Sequence, residues 1–428
     1  MDTLKYIKNW NSYNTRMKKF RRFLLRFPVI FYALRYVYRH GRYLYNGLCV
    51  SLVKNKTSYW NRYLLLDPVK ITKKSLLHSN KFLDCGKVRS GDWDKSNTDF
   101  KTEYPYYASI KKITEGNPWD KTPLYMAGME KLNCGETAFG CRSITELQQR
   151  GDVIKQLIED IKLHSYRMPE KETFANNSDE VSVHISRHGE FLLGDGGHRL
   201  SIAQLLGLKQ IPVQVCYRHA DWNELRQMLI FEAHMQGKLY QRVAHPDLDF
   251  LPYAHDTEDR FKIILPNIRQ CSGRKLLDIG TNWAMMCHHF EAAGFDCIAA
   301  ENDPTHIKFA RKIRNVFDKK FELYEGSVFD MPLKKYGRFS VVLALNIFHH
   351  FLKTDLNFHR MEKFLTQLDT EAIVFQPHME SERQIFGLYR NFSETEFCEF
   401  IMKTARLKNC KKIGEENNRN IYLISGWD

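Results

Sequence analysis

From Lys275 onward, short apolar runs alternate with stretches of helical period, the pattern of a parallel sheet flanked by helices. A helix over Asp256 to Ile268 leads in. KLLDIG then reads as a buried strand entering the loop Gly280-Thr281-Asn282-Trp283-Ala284, which opens a helix over Met285 to Ala293. Gly294-Phe295-Asp296 turns the chain into a second strand, CIAAE, ending on Glu301. A helix from Pro304 to Val316, a strand near Phe321 to Tyr324 and the loop Gly326 to Asp330 follow. The strand FSVVLALNIF then runs into His349-His350-Phe351.

Upstream, Tyr63 to about Phe250 carries mixed helix and strand signals. Its most regular part is Val181 to Trp222. Val181, Val183 and Ile185 alternate, the chain turns at His188-Gly189, and Phe191 and Leu193 resume the strand. The break at Gly194-Asp195-Gly196-Gly197 opens a helix with Leu200, Ala203, Leu206 and Leu208 on its buried side, ended by Gly207. A short strand, Ile211 to Cys216, and a helical run, Asp221 to Gln236, complete the unit. The pattern therefore divides the 428 residues into an arm (1–62), a middle domain (63–250) and a C-terminal domain (256–428).

Charge changes the picture only for the arm. The net charge of the chain is +14, and fourteen Lys and Arg stand against one acid, Asp2, between Met1 and Arg62. Twelve aromatics between Tyr6 and Tyr45 are interleaved with them, and Phe27 to Tyr38 is apolar but broken by Arg35. That run is far short of the ~20 apolar residues a spanning helix needs. A basic helical arm of this kind fits an anionic membrane surface, its own protein, or a phosphate backbone. Ten scattered cysteines without a C-x-x-C pair argue against a zinc module, and no secretory signal is read at the start. Reduced thiols and a cytoplasmic location are the expectation.

Two places carry candidate chemistry. The glycine turn before His198 and Arg199 offers free N–H groups and a helix dipole to an anion, with Arg199 as a bidentate donor; alternatively it is only a tight strand-to-helix turn. In the C-terminal domain, Glu301 follows the glycine turn by about twenty residues, the spacing that binds a ribose diol across strand tips. Asp278 before Gly280 disfavours a pyrophosphate and suits a cationic, amino-acid-bearing cofactor. Two Trp-carboxylate clusters, Gly91-Asp92-Trp93-Asp94 and Asn117-Pro118-Trp119-Asp120, are candidates for a sugar or metal, or merely turn caps. No metal ligand set is assigned.

The succession from KLLDIG to His350 resembles class I S-adenosylmethionine-dependent methyltransferases. The resemblance implies an α/β fold with a Rossmann-like doubly wound sheet. Asp278, Gly280 and Asn282 would hold the methionine end, Glu301 the ribose, and Ser327 and Val328 the adenine. Asn346, His349 and His350 would lie beside the sulfonium and the acceptor, the two histidines in catalytic roles. Asn282 and Ala284 replace two glycines of the usual G-x-G-x-G loop, a change expected to have little steric consequence. The stretch around Gly-Asp-Gly-Gly-His-Arg resembles the α+β ParB/sulfiredoxin superfamily. By that likeness Gly196, Gly197, His198 and Arg199 line a phosphate site, and Asp195 is a base or metal carboxylate. Gly197 replaces the sulfiredoxin cysteine, and no DNA-reading helix pair follows, which leaves the kinase-like branch or a nucleotide-binding domain without catalysis.

Late in the chain, FQPHMESERQIFGLYRNFSETEF, with His378 and Gln384, resembles methyltransferases associated with surface-polysaccharide assembly. The expected activity is therefore methylation of a hydroxyl or phosphate of a glycan or lipid-linked glycan at the inner membrane face. A middle domain using ATP and magnesium would phosphorylate the acceptor first. The alternatives are a purely nucleotide-sensing or partner-binding middle domain, or a nucleic-acid methyltransferase, against which the missing target motifs argue.

Overall fold

The computed structural model describes residues 63–79, 84–166, 181–378 and 388–427, all within the compact unit Arg62–Asp428. The basic arm and Gln384 lie outside the described residues.

The first sheet holds β1 (Tyr63–Leu66), β2 (Lys73–Ser75), β3 (Lys87–Arg89), β4 (Asn97–Asp99), β5 (Ser182–Ile185), β6 (Phe191–Asp195) and β7 (Ile211–His219). Its order is β1-β7-β5-β6-β2-β4, with β3 also pairing β7. The alternation in β5 does not separate a wet face from a dry one, because all four residues are buried. Val183 and Ile185 enter the apolar core, while His184 on the opposite face is covered by Trp93, edge-on at 5.7 Å, and by Ser79 Oγ at 3.0 Å from its Nε2. β7 runs three residues past the expected end at Cys216, because Tyr217, Arg218 and His219 pair with β3. Its polar residues are partnered: Asp247 accepts from Arg218 at 2.8 and 2.6 Å and from the Trp222 indole at 2.9 Å.

The carboxylates of the first Trp-carboxylate cluster are held in an ion pair. Arg187, some ninety residues away, donates to Asp92 and Asp94, each at 2.7 Å, and that guanidinium draws the Asp94 carboxyl down to about 2 against its burial. Trp119 is a core side chain whose indole N–H donates to Leu147 O at 3.0 Å.

A two-stranded ladder of β8 (Leu239–Gln241) and β9 (Tyr253–His255) leads to the second sheet. Its strands are β10 (Lys275–Ile279), β11 (Asp296–Glu301), β12 (Glu322–Glu325), β13 (Phe339–Leu345), β14 (Thr370–Gln376), β15 (Asn409–Glu416) and β16 (Arg419–Ser425). The order is β12-β11-β10-β13-β14-β16-β15. The first five are parallel, and β16 enters antiparallel beside β14. Strand direction of build-up reverses between β10 and β13, and the C-terminal ends of the strands at such a reversal are where sheets of this class bind ligands. Helices appear where the pattern placed them, over Thr257–Asn267, Met285–Ala292 and Pro304–Val316.

The two sheets are joined through one apolar core. Trp283, Met285, Phe309, Ile313 and Val316 of the C-terminal part are buried in the same cluster as Val183, Leu193, Trp222 and Leu225. Trp283 stacks on Phe309 at 4.9 Å, and His188 Nδ1 lies 2.8 Å from Val316 O.

Candidate functional site at the strand tips

The turn after β10 is built from backbone bonds to β11. Gly280 and Thr281 donate to Ala300 O at 2.9 and 3.2 Å, and Asn282 donates to Glu301 Oε2 at 2.8 Å. Gly280 has φ +66, and a Cβ there would stand 2.5 Å from Ile347, which crosses from the end of β13. Glycine therefore lets the two loops at the switch point meet. Asn282 and Ala284 also adopt positive φ, +59 and +62. The replacement of glycine at these two positions is thus not sterically neutral: an L residue in the left-handed region carries a conformational cost of about 1–2 kcal/mol, least for Asn.

Asp278 is fully enclosed. Burial and the nearby Glu301 charge push its carboxyl up to about 7, against a hydrogen bond from Thr281 Oγ1. Glu301, also buried, has the opposite shift. Burial opposes its charge, but His306 and the N–H groups of Asp303 and Asn282 outweigh that and hold it below the usual carboxylate range. One carboxyl poised near neutrality and one held ionised thus stand at the ends of the adjacent strands β10 and β11.

Three carboxamides stand at the tips with buried atoms lacking any hydrogen-bond partner: Asn282 Oδ1, both polar atoms of Asn346, and both of Gln376. Asn346 is 7% exposed and Gln376 1% exposed. They lie side by side, for Asn346 N donates to Gln376 O at 3.1 Å and Leu345 pairs with Gln376 in register. An unsatisfied buried amide costs about 1–3 kcal/mol, so a cluster of them marks a place that a polar ligand completes. Asn282 and Asn346 are among the residues expected at the site from sequence; Gln376 is not. Its only signal was a polar residue closing the apolar run of β14.

His349 is buried and His350 exposed, their rings 4.1 Å apart; His378 is 5.7 Å from His349. Lys353 Nζ lies 3.0 Å from His350 Nδ1, and burial holds its ammonium below the usual lysine range. Ser327 caps the short helix Val328–Asp330, its Oγ accepting from Phe329 N at 3.3 Å, and Val328 is buried in the core. Both follow Gly326, whose N–H donates to Glu301 O at 2.8 Å and ties the end of β12 to that of β11.

In the first sheet, β6 ends on Asp195 and the helix Gly197–Leu205 begins at Gly196, φ +85. The exposed Asp195 accepts from Gly196 N at 2.7 Å. Gly197 has a packing reason to be glycine, since a Cβ would stand 2.5 Å from the Tyr104 ring. His198 sits between Tyr104, whose hydroxyl is 3.3 Å from its Nδ1, and Tyr106, whose ring is 4.3 Å away. Burial, then the Arg150 charge, lower its pKa. Arg199 lies over the Tyr166 ring at 6.0 Å. The four residues are thus contiguous around one helix start, on a different sheet from the strand-tip crevice.

No helix among the described residues is long and apolar enough to cross a membrane. No family model and no curated protein matches the chain. Among solved structures it is similar to the bifunctional kinase-methyltransferase WbdD, at 18% identity over 47% of this chain and 46% of that chain, TM-score 0.38. It is also similar to the N-terminal domain of EvdMO1 with SAH bound, at 10% identity over 47% of this chain and 96% of that one, TM-score 0.35. The methyltransferase domain of bacterial CtHen1 aligns at 12% identity over 40% and 98%, TM-score 0.32. The alignment spans about half the length of WbdD. Independently of these likenesses, the order β12-β11-β10-β13-β14-β16-β15 with a single antiparallel entry gives the C-terminal domain a Rossmann-like methyltransferase fold.

Proposed function

We propose that the chain is an S-adenosylmethionine-dependent methyltransferase whose acceptor is a hydroxyl of a glycan or lipid-linked glycan. The observation that carries this is the set of buried carboxamides with unpartnered atoms, Asn282 Oδ1 and both polar atoms of Asn346 and Gln376, at the tips of β10, β13 and β14. When bound, the cofactor supplies an electrophilic methyl on a cationic sulfur. Asp278 and Asn282 hold its amino-acid end, Glu301 accepts from the ribose hydroxyls, and Ser327 and Val328 border the adenine. Burial holds the Asp278 carboxyl near neutrality, so a cationic group beside it is favoured and a pyrophosphate disfavoured. Asn346 and Gln376 can each donate and accept, so they suit a hydroxyl, which does both. His349, with His350 beside it, takes the proton that the hydroxyl loses. A phosphate acceptor is the second reading, favoured by Lys353 next to His350.

The middle domain is proposed to bind nucleotide phosphate at Gly196, Gly197, His198 and Arg199, as in the ParB/sulfiredoxin resemblance. ATP with magnesium would be the ligand, and Asp195, exposed at the strand end, the base of a preceding phosphoryl transfer. The arm 1–62 would place the enzyme on the anionic inner face of a membrane. A nucleic-acid substrate has no support beyond the charge of that arm. Equilibrium titration of the full chain with S-adenosylhomocysteine, with NADH as control, tests the cofactor assignment. Saturable binding of the first alone is expected; preference for NADH would overturn it.

A further inference from the structure

The cofactor loop is not held by the C-terminal sheet alone. Gln241, the last residue of β8, belongs to the segment that follows the first sheet, forty residues before the loop in sequence. Its amide Nε2 donates to Thr281 O and its Oε1 accepts from Trp283 N, both at 3.3 Å. One carboxamide thus spans Asn282, the residue whose own N–H goes to Glu301. Gln241 is 5% exposed, and its strand is fixed from behind. Leu239 N donates to Pro252 O at 2.8 Å and Arg242 N to His255 O at 3.0 Å. The Arg242 guanidinium then bonds Asp249 and Asp256, each at 2.9 Å.

The loop requires such a clamp. Asn282 and Ala284 both hold positive φ without being glycine, and residues in that region persist only where the surroundings over-determine them. Thr281 O and Trp283 N are the backbone groups flanking the first of these residues. Trp283 itself is drawn into the core shared with the first sheet, stacked on Phe309. The conformational freedom that glycines would have supplied is replaced here by external hydrogen bonds.

We infer that Gln241 is a positioning residue for the methyl donor, and that the middle domain is a structural half of the cofactor site. The inference rests on the methyl-donor reading of the loop. Separated from residues 63–250, the C-terminal domain loses the partner of Thr281 and Trp283, and its loop relaxes toward negative φ.

The test is calorimetric titration of the full-length chain with S-adenosylhomocysteine, at a temperature well below the melting transition. Gln241→Leu removes both bonds at similar volume, and affinity is expected to fall about tenfold, two modest hydrogen bonds' worth. Gln241→Glu keeps the acceptor for Trp283 but sets a carboxylate against Thr281 O, and it is expected to weaken binding likewise. Adding Ala284→Gly to Gln241→Leu makes the left-handed conformation intrinsically cheaper and is expected to restore part of the affinity, which loss of a merely structural contact would not allow. Circular dichroism checks the fold, and should Gln241→Leu not fold, Gln241→Glu decides. Wild-type affinity in the folded variants overturns the inference while leaving the methyltransferase reading intact. No binding by the wild-type chain overturns both.

Discussion

Asn282 donates its backbone N–H to Glu301 Oε2 at 2.8 Å, while Glu301 Oε1 accepts from Asn302 N and Asp303 N, both at 2.9 Å. One carboxylate therefore fixes two loops. Glu301→Gln removes the charge and one acceptor. S-adenosylhomocysteine affinity is expected to fall about 10- to 100-fold, the range for hydrogen bonds to a charged group, as read by calorimetry.

Asp278 gives a pH dependence of definite sign. Its carboxyl is pushed up to about 7 in the folded protein, above the ordinary value of 3.8. The folded state therefore holds a proton that the unfolded state has released, and stability falls as pH rises from about 4 to about 7. A cationic cofactor favours the ionised form, so binding releases a proton below about pH 7 and affinity rises with pH up to that value. Calorimetry in two buffers of different ionisation enthalpy reads the proton directly. Asp278→Asn is expected to flatten the profile, raise the melting temperature at about pH 8 and weaken binding there.

Gln376 sets stability against function. Both of its polar atoms are buried without partners, so Gln376→Leu is expected to stabilise the ligand-free chain by about 1 kcal/mol. The same change removes a donor and acceptor from the acceptor crevice and lowers methyl transfer with cofactor binding retained. Thermal melting and labelled-methyl transfer on one preparation check both halves.

Of the C-terminal domain, most was legible in the sequence. Pro304–Val316 begins and ends where its periodicity says, and Glu301 closes β11 as read from CIAAE. The turn at Gly196 and the stop at Gly207, φ +65, were legible for the same reason, since glycine marks positions other residues avoid. What escaped depends on partners far along the chain. Asp92 and Asp94 read as free carboxylates until Arg187 is placed beside them. Gln241 lies in a three-residue strand with no motif, and its role exists only because the loop at Thr281 comes to it. Ala284 looked neutral because its cost is a backbone angle, not a side-chain volume.

The buried charge cluster beneath β7 supplies a stability prediction. Asp247, 1% exposed, lies with Arg218 and also 3.3 Å from Arg226 Nε. Burial opposes its ionisation, but the two guanidiniums and the Trp222 indole hold its pKa below the usual value. Its contribution is therefore present above about pH 4 and is lost as pH falls through the lowered folded value. Asp247→Ala leaves two buried cations and is expected to cost about 3–5 kcal/mol in denaturant unfolding.

At the middle-domain loop, packing and chemistry are separable. Gly197→Ala drives a methyl into Tyr104 and is expected to destabilise by about 1–3 kcal/mol. Arg199→Ala, half-buried over Tyr166, is expected to leave the fold intact and abolish ATP-dependent labelling. Full methylation of the natural acceptor by Arg199→Ala would count against a kinase step.

Transfer of labelled methyl from S-adenosylmethionine, by the purified full chain, into fractionated cell extract with and without ATP and magnesium tests the proposed activity on its own substrate. Label is expected in a glycan or lipid fraction, with ATP required where the middle domain prepares the acceptor. Label in nucleic acid, or none in any fraction while the cofactor binds, would contradict it.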